Sequence, residues 1–265
     1  MIETYWGLTG SPFHPAGGIP WFHESPVHEE ALARLYFVLE ERRPLALLRG
    51  AEGTGKTLLL SVLADELRRT QRQVIAIDLL GLGPDELAWK LAAGLQLGPD
   101  DDAPPLRLWR MMGDSIRGLQ ASRQPAVVLL DHLDRGHSGC ATAIERLLAL
   151  DRGPTRCLTV IAATRGTDGA TAHAALARHA DLRIELPALD RAQTSEYVAA
   201  ALRQAGAGRT LFEPAALETL YRETGGIPRD INRLCELALI AARGDERREV
   251  DAAVIESAAA ELQAC

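Results

Sequence analysis

Short apolar runs alternate with longer segments of helical periodicity from about residue 45 to residue 190. The apolar runs predict strands, because they are four to seven residues long and rich in Val, Ile and Leu. Their alternation with helical segments is typical of a parallel sheet covered by helices. The predicted strands are LALLR (45–49), VIAIDL (74–79), AVVLLD (126–131), LTVIAAT (158–164) and LRIEL (182–186).

Helices are predicted between these strands and again at the C-terminal end. The helices predicted between residues 45 and 190 are 56–69, 84–97, 106–120, 139–150 and 172–180. After residue 190 the strand pattern stops, and further helices are predicted at 191–205, 213–224, 228–243 and 250–262. Pro214 and Pro228 then stand in first turns, where proline is favoured. We therefore predict an N-terminal segment 1–44, an α/β domain 45–190 and an α-helical domain 191–265.

The bulk composition narrows the class of protein. A net charge of −7 gives no global attraction to phosphate backbones, so DNA is not the expected partner. No apolar run approaches the roughly 18 residues of a membrane span. The start, MIETYWGLTG, lacks the order of charges and apolar residues that marks a signal peptide. We expect a cytoplasmic protein without a membrane span of its own.

The stretch GAEGTGKT (50–57) joins the first predicted strand directly to a predicted helix. Glycines allow backbone N–H groups to close around phosphate oxygens, and the helix N-terminus adds its positive dipole. The lysine of this pattern reaches the β- and γ-phosphates, and the threonine ligates Mg²⁺. The sequence predicts a site for ATP and Mg²⁺ that is formed by Gly50, Ala51, Glu52, Gly53, Thr54, Gly55, Lys56, Thr57 and Leu58.

A nucleotide site of this kind also needs an apolar strand that ends in a metal-side carboxylate. AVVLLD ends in Asp131, which we expect to hold Mg²⁺ through water, with Thr57 as the second metal residue. The alternative interpretation is that Asp131 merely caps the following turn.

Two stretches beside these motifs resemble the AAA+ ATPases of the general secretion pathway protein A type. YWGLTGSPFHP followed by WFHESPVHEEALARLYFVLEERRPLALLRGAEGTGKT is similar to the family's opening, including its Ser-Pro-x-His motif. TGGIPRDINRLCELALIAA resembles the family's lid helix, and the resemblance covers residues 5–243. It implies a five-stranded P-loop core with a small α-helical lid, ATP bound between them, and a neighbouring subunit that completes the site.

The resemblance also implies roles for single residues. Thr164 falls on the first sensor position and Arg229 on the second, which reaches toward the γ-phosphate. A cation in a helix's first turn is opposed by the macrodipole, so an anion near Arg229 explains it better than solvent does, although a solvated arginine is the alternative. Arg178 or Arg183 is the candidate finger supplied to a neighbour, with Arg178 preferred, and the alternative for Arg183 is a structural ion pair on a strand edge. His28 is expected beside the adenine, or else on the surface or in the core.

His132 departs from the family pattern, in which a glutamate follows the metal-side aspartate and orients the attacking water. A neutral imidazole offers one acceptor nitrogen and lacks the negative charge. Three interpretations follow: His132 is a weaker base, Asp134 replaces it, or turnover is very slow. The two side chains share a face only if extended geometry persists. The predicted catalytic residues are Lys56, Asp131, His132, Thr164, Arg178 and Arg229.

The resemblance predicts an ATPase that self-associates and serves assembly of a secretion or pilus machine through protein partners. His132 favours a second hypothesis, a nucleotide-dependent switch or adaptor that does not hydrolyse ATP. A third is a DNA-binding regulator of the transposition type, which shares the module but is disfavoured by the acidic balance.

Overall fold

A single parallel sheet forms the centre of the computed structural model, which describes residues 2–13, 25–153, 155–165 and 176–264. The strands are β1 (Leu45–Arg49), β2 (Gln73–Asp78), β3 (Ala126–Asp131), β4 (Leu158–Thr164) and β5 (Leu182–Glu185). Their order across the sheet is β2-β3-β4-β1-β5, and every pairing is parallel. The predicted α/β fold class with a five-stranded parallel sheet is therefore confirmed.

The central strands are buried on both faces, which explains their continuous apolar sequences. All seven residues of β4 are buried, as are the first five of β3. Alternate residues such as Leu45 and Val128 belong to one apolar core, while their neighbours Ala46 and Leu129 face the opposite side and are also buried. A sheet covered on both sides leaves the strand ends as the place where polar side chains are accessible.

The helices that accompany the sheet follow the predicted periodicity closely. They are α1 (Ile2–Trp6), α2 (Pro26–Glu40), α3 (Lys56–Arg69), α4 (Pro84–Gly94), α5 (Pro105–Ser122) and α6 (Gly139–Leu150). Helix α4 ends three residues earlier than the predicted 84–97, because Gln96 takes a left-handed conformation and the Leu97 amide bonds back to Ala92. The predicted helix 172–180 lies largely outside the described residues.

Four helices follow the sheet: α7 (Arg191–Gln204), α8 (Pro214–Thr224), α9 (Pro228–Gly244) and α10 (Ala252–Ala264). Helix α10 begins two residues later than predicted, because Val250 instead forms a parallel bridge with Phe212. The side chain of Asp251 then accepts a hydrogen bond from the Val254 amide at 3.0 Å and caps the helix.

Helices α1 and α2 stand where the sequence predicted only a leading segment. In α2, Ala31, Leu35, Val38 and Leu39 are buried, and their spacing is that of an amphipathic helix. Pro26 in its first turn is also an ordinary start signal. Both signals were present in the sequence, so the omission is an error of prediction rather than an effect of tertiary structure.

The chain divides into two compact units. The helical unit consists of Met1–Glu29, Ala51–Gly55 and Pro187–Cys265, and the sheet unit consists of Glu30–Gly50 and Lys56–Leu186. Each has its own apolar core, the sheet unit around β1 to β4 and the helical unit around Trp6, Tyr197 and Leu234. The predicted domain boundaries after residues 44 and 190 remain a proposal.

None of the helices in the described part of the chain combines the length and apolar character that a bilayer span requires.

Candidate nucleotide-binding site

The loop GAEGTGKT leaves β1 at Arg49 and enters α3 at Lys56. Gly53 and Gly55 have φ values of +85° and +101°, a region that favours glycine. A Cβ atom on Gly53 would lie 2.7 Å from Ile227 Cγ2, so the loop also has no room for a side chain there. Leu58 follows in the first turn of α3 and is half-buried. The local conformation therefore suits a loop that presents backbone amides.

Lys56 is the buried cation at the start of α3. The residue is 9% exposed, and Nζ donates a hydrogen bond to the carbonyl oxygen of Gly50 at 2.9 Å. A buried ammonium group requires acceptors, and the carbonyl at the beginning of the same loop supplies one. The amine is thereby held beside the loop, and we expect it to exchange this carbonyl for phosphate oxygens.

Thr57 and Asp131 meet at the carboxyl ends of the strands. Thr57 Oγ1 donates to Asp131 Oδ2 at 2.5 Å, and the aspartate side chain is 13% exposed. A hydroxyl and a carboxylate are oxygen donors, which Mg²⁺ prefers. A cavity of about 330 Å³ opens beside this pair. The two residues and their surroundings thus fit the predicted cation.

His132 lies beside Asp78, the last residue of the neighbouring strand β2. The parallel register places Asp78 opposite Asp131, and His132 Nδ1 lies 2.8 Å from Asp78 Oδ1. Burial acts to raise the pKa of Asp78, but hydrogen bonds from the Leu80 amide and the His132 ring outweigh it and lower the pKa. The carboxylate is therefore ionised at neutral pH and orients the imidazole.

The Asp134 carboxylate is bonded to Arg165, the residue that follows β4. His132 adopts a left-handed conformation at φ +53°, and a short 3-10 helix, Leu133–Arg135, follows. Extended geometry therefore does not persist, and the side chains of His132 and Asp134 have different partners. The Asp134 side chain is 4% exposed and accepts hydrogen bonds from Nε and the backbone amide of Arg165. Burial acts to raise the Asp134 pKa, but the Arg165 bonds lower it.

His28 is buried against the loop within the helical unit. Its Nε2 lies 3.2 Å from the carbonyl oxygen of Thr54, and its Nδ1 lies 2.7 Å from Ser25 Oγ. Of the three placements considered from the sequence, the surface is therefore wrong, because only 7% of the residue is exposed.

Arg229 stands in the first turn of α9 and has an anionic partner, as the dipole argument required. Its Nη1 lies 3.0 Å from Glu52 Oε1, a residue of the same loop, and its backbone amide donates to Gly53 O at 3.3 Å. The arginine side chain is 62% exposed, so this ion pair contributes little to stability, about 0–1 kcal/mol. The side chain is paired with Glu52 and also largely exposed to solvent, so its role as the second sensor remains a prediction.

Comparison with known proteins identifies this arrangement. Residues 39–168 match the family described as AAA domain. General secretion pathway protein A of Aeromonas hydrophila is 30% identical over 246 residues, which make up 91% of this chain and 45% of that protein. The chain carries an AAA domain. The resemblance to the general secretion pathway protein A type is confirmed, and the chain spans less than half the length of that relative.

Solved structures share the AAA+ fold with this chain. The Aeropyrum pernix ORC1 protein, solved in complex with DNA, has a TM-score of 0.67 at 18% identity, covering 95% of this chain and 68% of its own. For Cdc6p of Pyrobaculum aerophilum the TM-score is 0.64 at 16% identity, and the match covers 91% of this chain and 67% of Cdc6p. The Thermotoga maritima RuvB Holliday junction branch migration motor has a TM-score of 0.51 at 17% identity, and the match covers 93% of this chain and 72% of RuvB. At these identities the likeness concerns the fold alone.

Thr164 ends β4 of the AAA+ core and is buried, with 1% exposure. Its carbonyl oxygen accepts a hydrogen bond from the Gly50 amide at 3.3 Å, since β4 pairs with β1 in parallel register. The polar end of β4 therefore lies beside the beginning of the phosphate loop. Its role as a sensor remains a prediction.

The two candidate finger arginines differ in their surroundings. Arg178 is exposed in a turn before β5. Arg183 lies on β5, an edge strand, and its Nη2 donates to the carbonyl oxygen of Ala177 at 2.6 Å. The structural role considered for Arg183 is thus a hydrogen bond to backbone rather than an ion pair.

Several partners of the AAA+ site residues were missed from the sequence. Asp78 stands one residue before the end of the predicted strand 74–79, close to the place that Asp131 has in its own strand, and that similar placement was a usable signal. Glu52 and Arg165 carry no such signal, because only the fold brings them to Arg229 and Asp134.

Proposed function

We propose that this AAA+ protein binds ATP with Mg²⁺ and hydrolyses it slowly, in support of a secretion or pilus machine. The observation that carries the proposal is the grouping of Lys56, Thr57 and Asp131 at the carboxyl ends of parallel strands, where ligands of α/β proteins bind. The machine is suggested by the name of the Aeromonas relative alone.

Each residue of the group has a separate task in this proposal. The loop amides and the N-terminus of α3 bind the phosphate oxygens, and Lys56 neutralises the β- and γ-phosphates. Thr57 and Asp131 would hold Mg²⁺, which supplies positive charge to the phosphate oxygens as the γ-phosphoryl group leaves.

Water activation falls to His132 in this proposal. Asp78 accepts the Nδ1–H, so Nε2 keeps its lone pair and accepts a proton from the attacking water. The imidazole lacks the negative charge of a glutamate, and Asp134 is already bonded to Arg165. Removing a general base typically lowers rates by about 10² to 10⁴, and a neutral replacement should recover only part of that.

Arg229 provides a link between the loop and the lid helix α9. We propose that the γ-phosphate displaces Glu52 as the partner of Arg229. The exposed pair with Glu52 is weak, whereas a phosphate offers more charge and several acceptor oxygens. ATP would then be recognised over ADP by a residue already positioned at the loop.

Nucleotide affinity measured beside steady-state turnover on the same wild-type preparation tests the proposed function. We expect MgATP to bind and phosphate release to be slow compared with the roughly 1–10³ s⁻¹ of typical enzymes. A chain that binds neither ATP nor ADP in the presence of Mg²⁺ would contradict the proposal.

The second candidate is a nucleotide-dependent switch without hydrolysis. The observation that favours it is that the two described carboxylates nearest His132 in strand and sequence are engaged, since Asp78 bonds His132 and Asp134 bonds Arg165. The same turnover measurement separates the two candidates: bound ATP that stays intact over many hours supports the switch.

Self-association is proposed because the family's sites are completed by a neighbouring subunit. We expect ATP with Mg²⁺ to shift the protein to larger species in light scattering, and Arg178→Ala to lower turnover within those species. Arg183→Ala is the matched comparison, since Arg183 is bonded to its own chain. A strictly monomeric ATP-bound protein, or an effect confined to Arg183→Ala, would contradict the assignment.

A further inference from the structure

The Ser-Pro-x-His motif, Ser25 to His28, has no role in the function described so far. Ser25 and His28 are 1% and 7% exposed, and they lie at the start of α2. The imidazole joins the hydroxyl of Ser25 to the carbonyl oxygen of Thr54, at 2.7 and 3.2 Å. Thr54 itself is 1% exposed, so both bonds are shielded from water.

The chemistry of these partners determines which ring nitrogen carries the proton. A carbonyl oxygen only accepts hydrogen bonds, so Nε2 must be the donor to Thr54. In a neutral imidazole Nδ1 is then an acceptor, and the Ser25 hydroxyl must donate to it. Ser25 therefore selects the tautomer that allows His28 to hold the loop.

Holding the carbonyl of Thr54 also fixes the amide of Gly55. The two groups belong to one planar trans peptide unit, in which C=O and N–H point in opposite directions. Gly55 has a φ of +101° and no Cβ, so this peptide rotates at little steric cost unless something restrains it. A Cβ on Gly55 would lie 2.9 Å from His28 Nε2, so the imidazole ring packs directly against this peptide.

We propose that His28 is a positioning residue that turns the Gly55 amide toward the bound phosphates by holding the Thr54 carbonyl away from them. The inference rests on the proposed nucleotide binding and concerns the phosphates rather than the base. An unrestrained peptide would spend part of its time with the carbonyl oxygen facing the phosphates, and affinity would fall by that fraction.

Two amide substitutions separate this role from general packing. The side-chain nitrogen of His28→Gln reaches the level of Nε2, whereas that of His28→Asn reaches only the level of Nδ1. We expect His28→Asn to weaken binding by on the order of ten-fold and His28→Gln to restore most of the affinity. The exposed His179→Asn is the control for the same exchange elsewhere.

The ligands are MgATP and magnesium tripolyphosphate, which carries the phosphates without a base. Positioning of the Gly55 amide predicts the same fold loss in His28→Asn for both ligands, with kcat at saturation changed less than KM. A loss for ATP alone would mean that His28 contacts the adenine, and that result overturns the proposal.

Ser25→Ala keeps the ring and removes the donor to Nδ1, so it covers the case in which His28→Asn does not fold. We expect a smaller loss, about three-fold, for both ligands. Unchanged tripolyphosphate affinity in either folded variant overturns the proposal. Wild type that binds neither ligand would instead contradict the proposed function itself, so the two failures are distinguishable.

Discussion

Lys56→Ala is expected to abolish ATP binding under conditions in which the wild type is saturated. Lys56 is the buried cation at the start of α3, and its Nζ is held at the loop by the Gly50 carbonyl. Each hydrogen bond to a charged group contributes about 1.5–3 kcal/mol, and about 1.4 kcal/mol is a ten-fold change in affinity. Loss of two such bonds to phosphate therefore weakens binding by at least about 100-fold.

Titration calorimetry with MgATP and MgADP measures this loss. Lys90 is the chain's other lysine and lies on α4, so Lys90→Ala is the matched control and should bind as the wild type does. The free energy of unfolding should be compared as well, because Lys56 has a local acceptor. A folded Lys56→Ala protein that retains micromolar affinity would contradict the assignment of GAEGTGKT as the phosphate loop.

The strands could be predicted because buried strands consist largely of apolar residues. β1, β3 and β4 agree with the prediction at both ends, since strands covered on two faces are continuously apolar and polar residues bound them. The half-exposed β2 is shifted by one residue at both ends, and the edge strand β5 ends one residue earlier than predicted, because alternating burial gives a weaker boundary. The bridge between Phe212 and Val250 involves single residues, which leave no periodic pattern.

The site residues that belong to sequence motifs could be predicted in the same way. The contacts between side chains far apart in the sequence could not. Thr57 and Asp131 follow from motifs, and their contact follows from the adjacency of parallel strand ends. The pairs His132–Asp78 and Arg229–Glu52 join residues 54 and 177 positions apart. Such pairs depend on strand order, register and the turn conformation after β3, which sequence periodicity does not encode.

His132→Glu is expected to raise turnover, by about 10²-fold if the glutamate takes its full part as general base. A carboxylate accepts the water's proton with a favourable negative charge, which the neutral imidazole lacks. Phosphate release at saturating MgATP measures the effect, and nucleotide affinity should change little because His132 is not a phosphate ligand. Wild type that already turns over like an ordinary ATPase, and is slowed by the substitution, would contradict the hypothesis.

A second substitution, Asp78→Asn, tests the same hypothesis. Its effect on turnover should have opposite signs when residue 132 is histidine and when it is glutamate. Beside His132 it orients the ring at 2.8 Å, so Asp78→Asn alone should lower turnover. Beside a glutamate it would place two carboxylates within contact distance, and like charges disfavour ionisation of both. Asp78→Asn should therefore raise turnover in the His132→Glu background. The same sign in both backgrounds would mean that Asp78 supports the strand end without orienting the base.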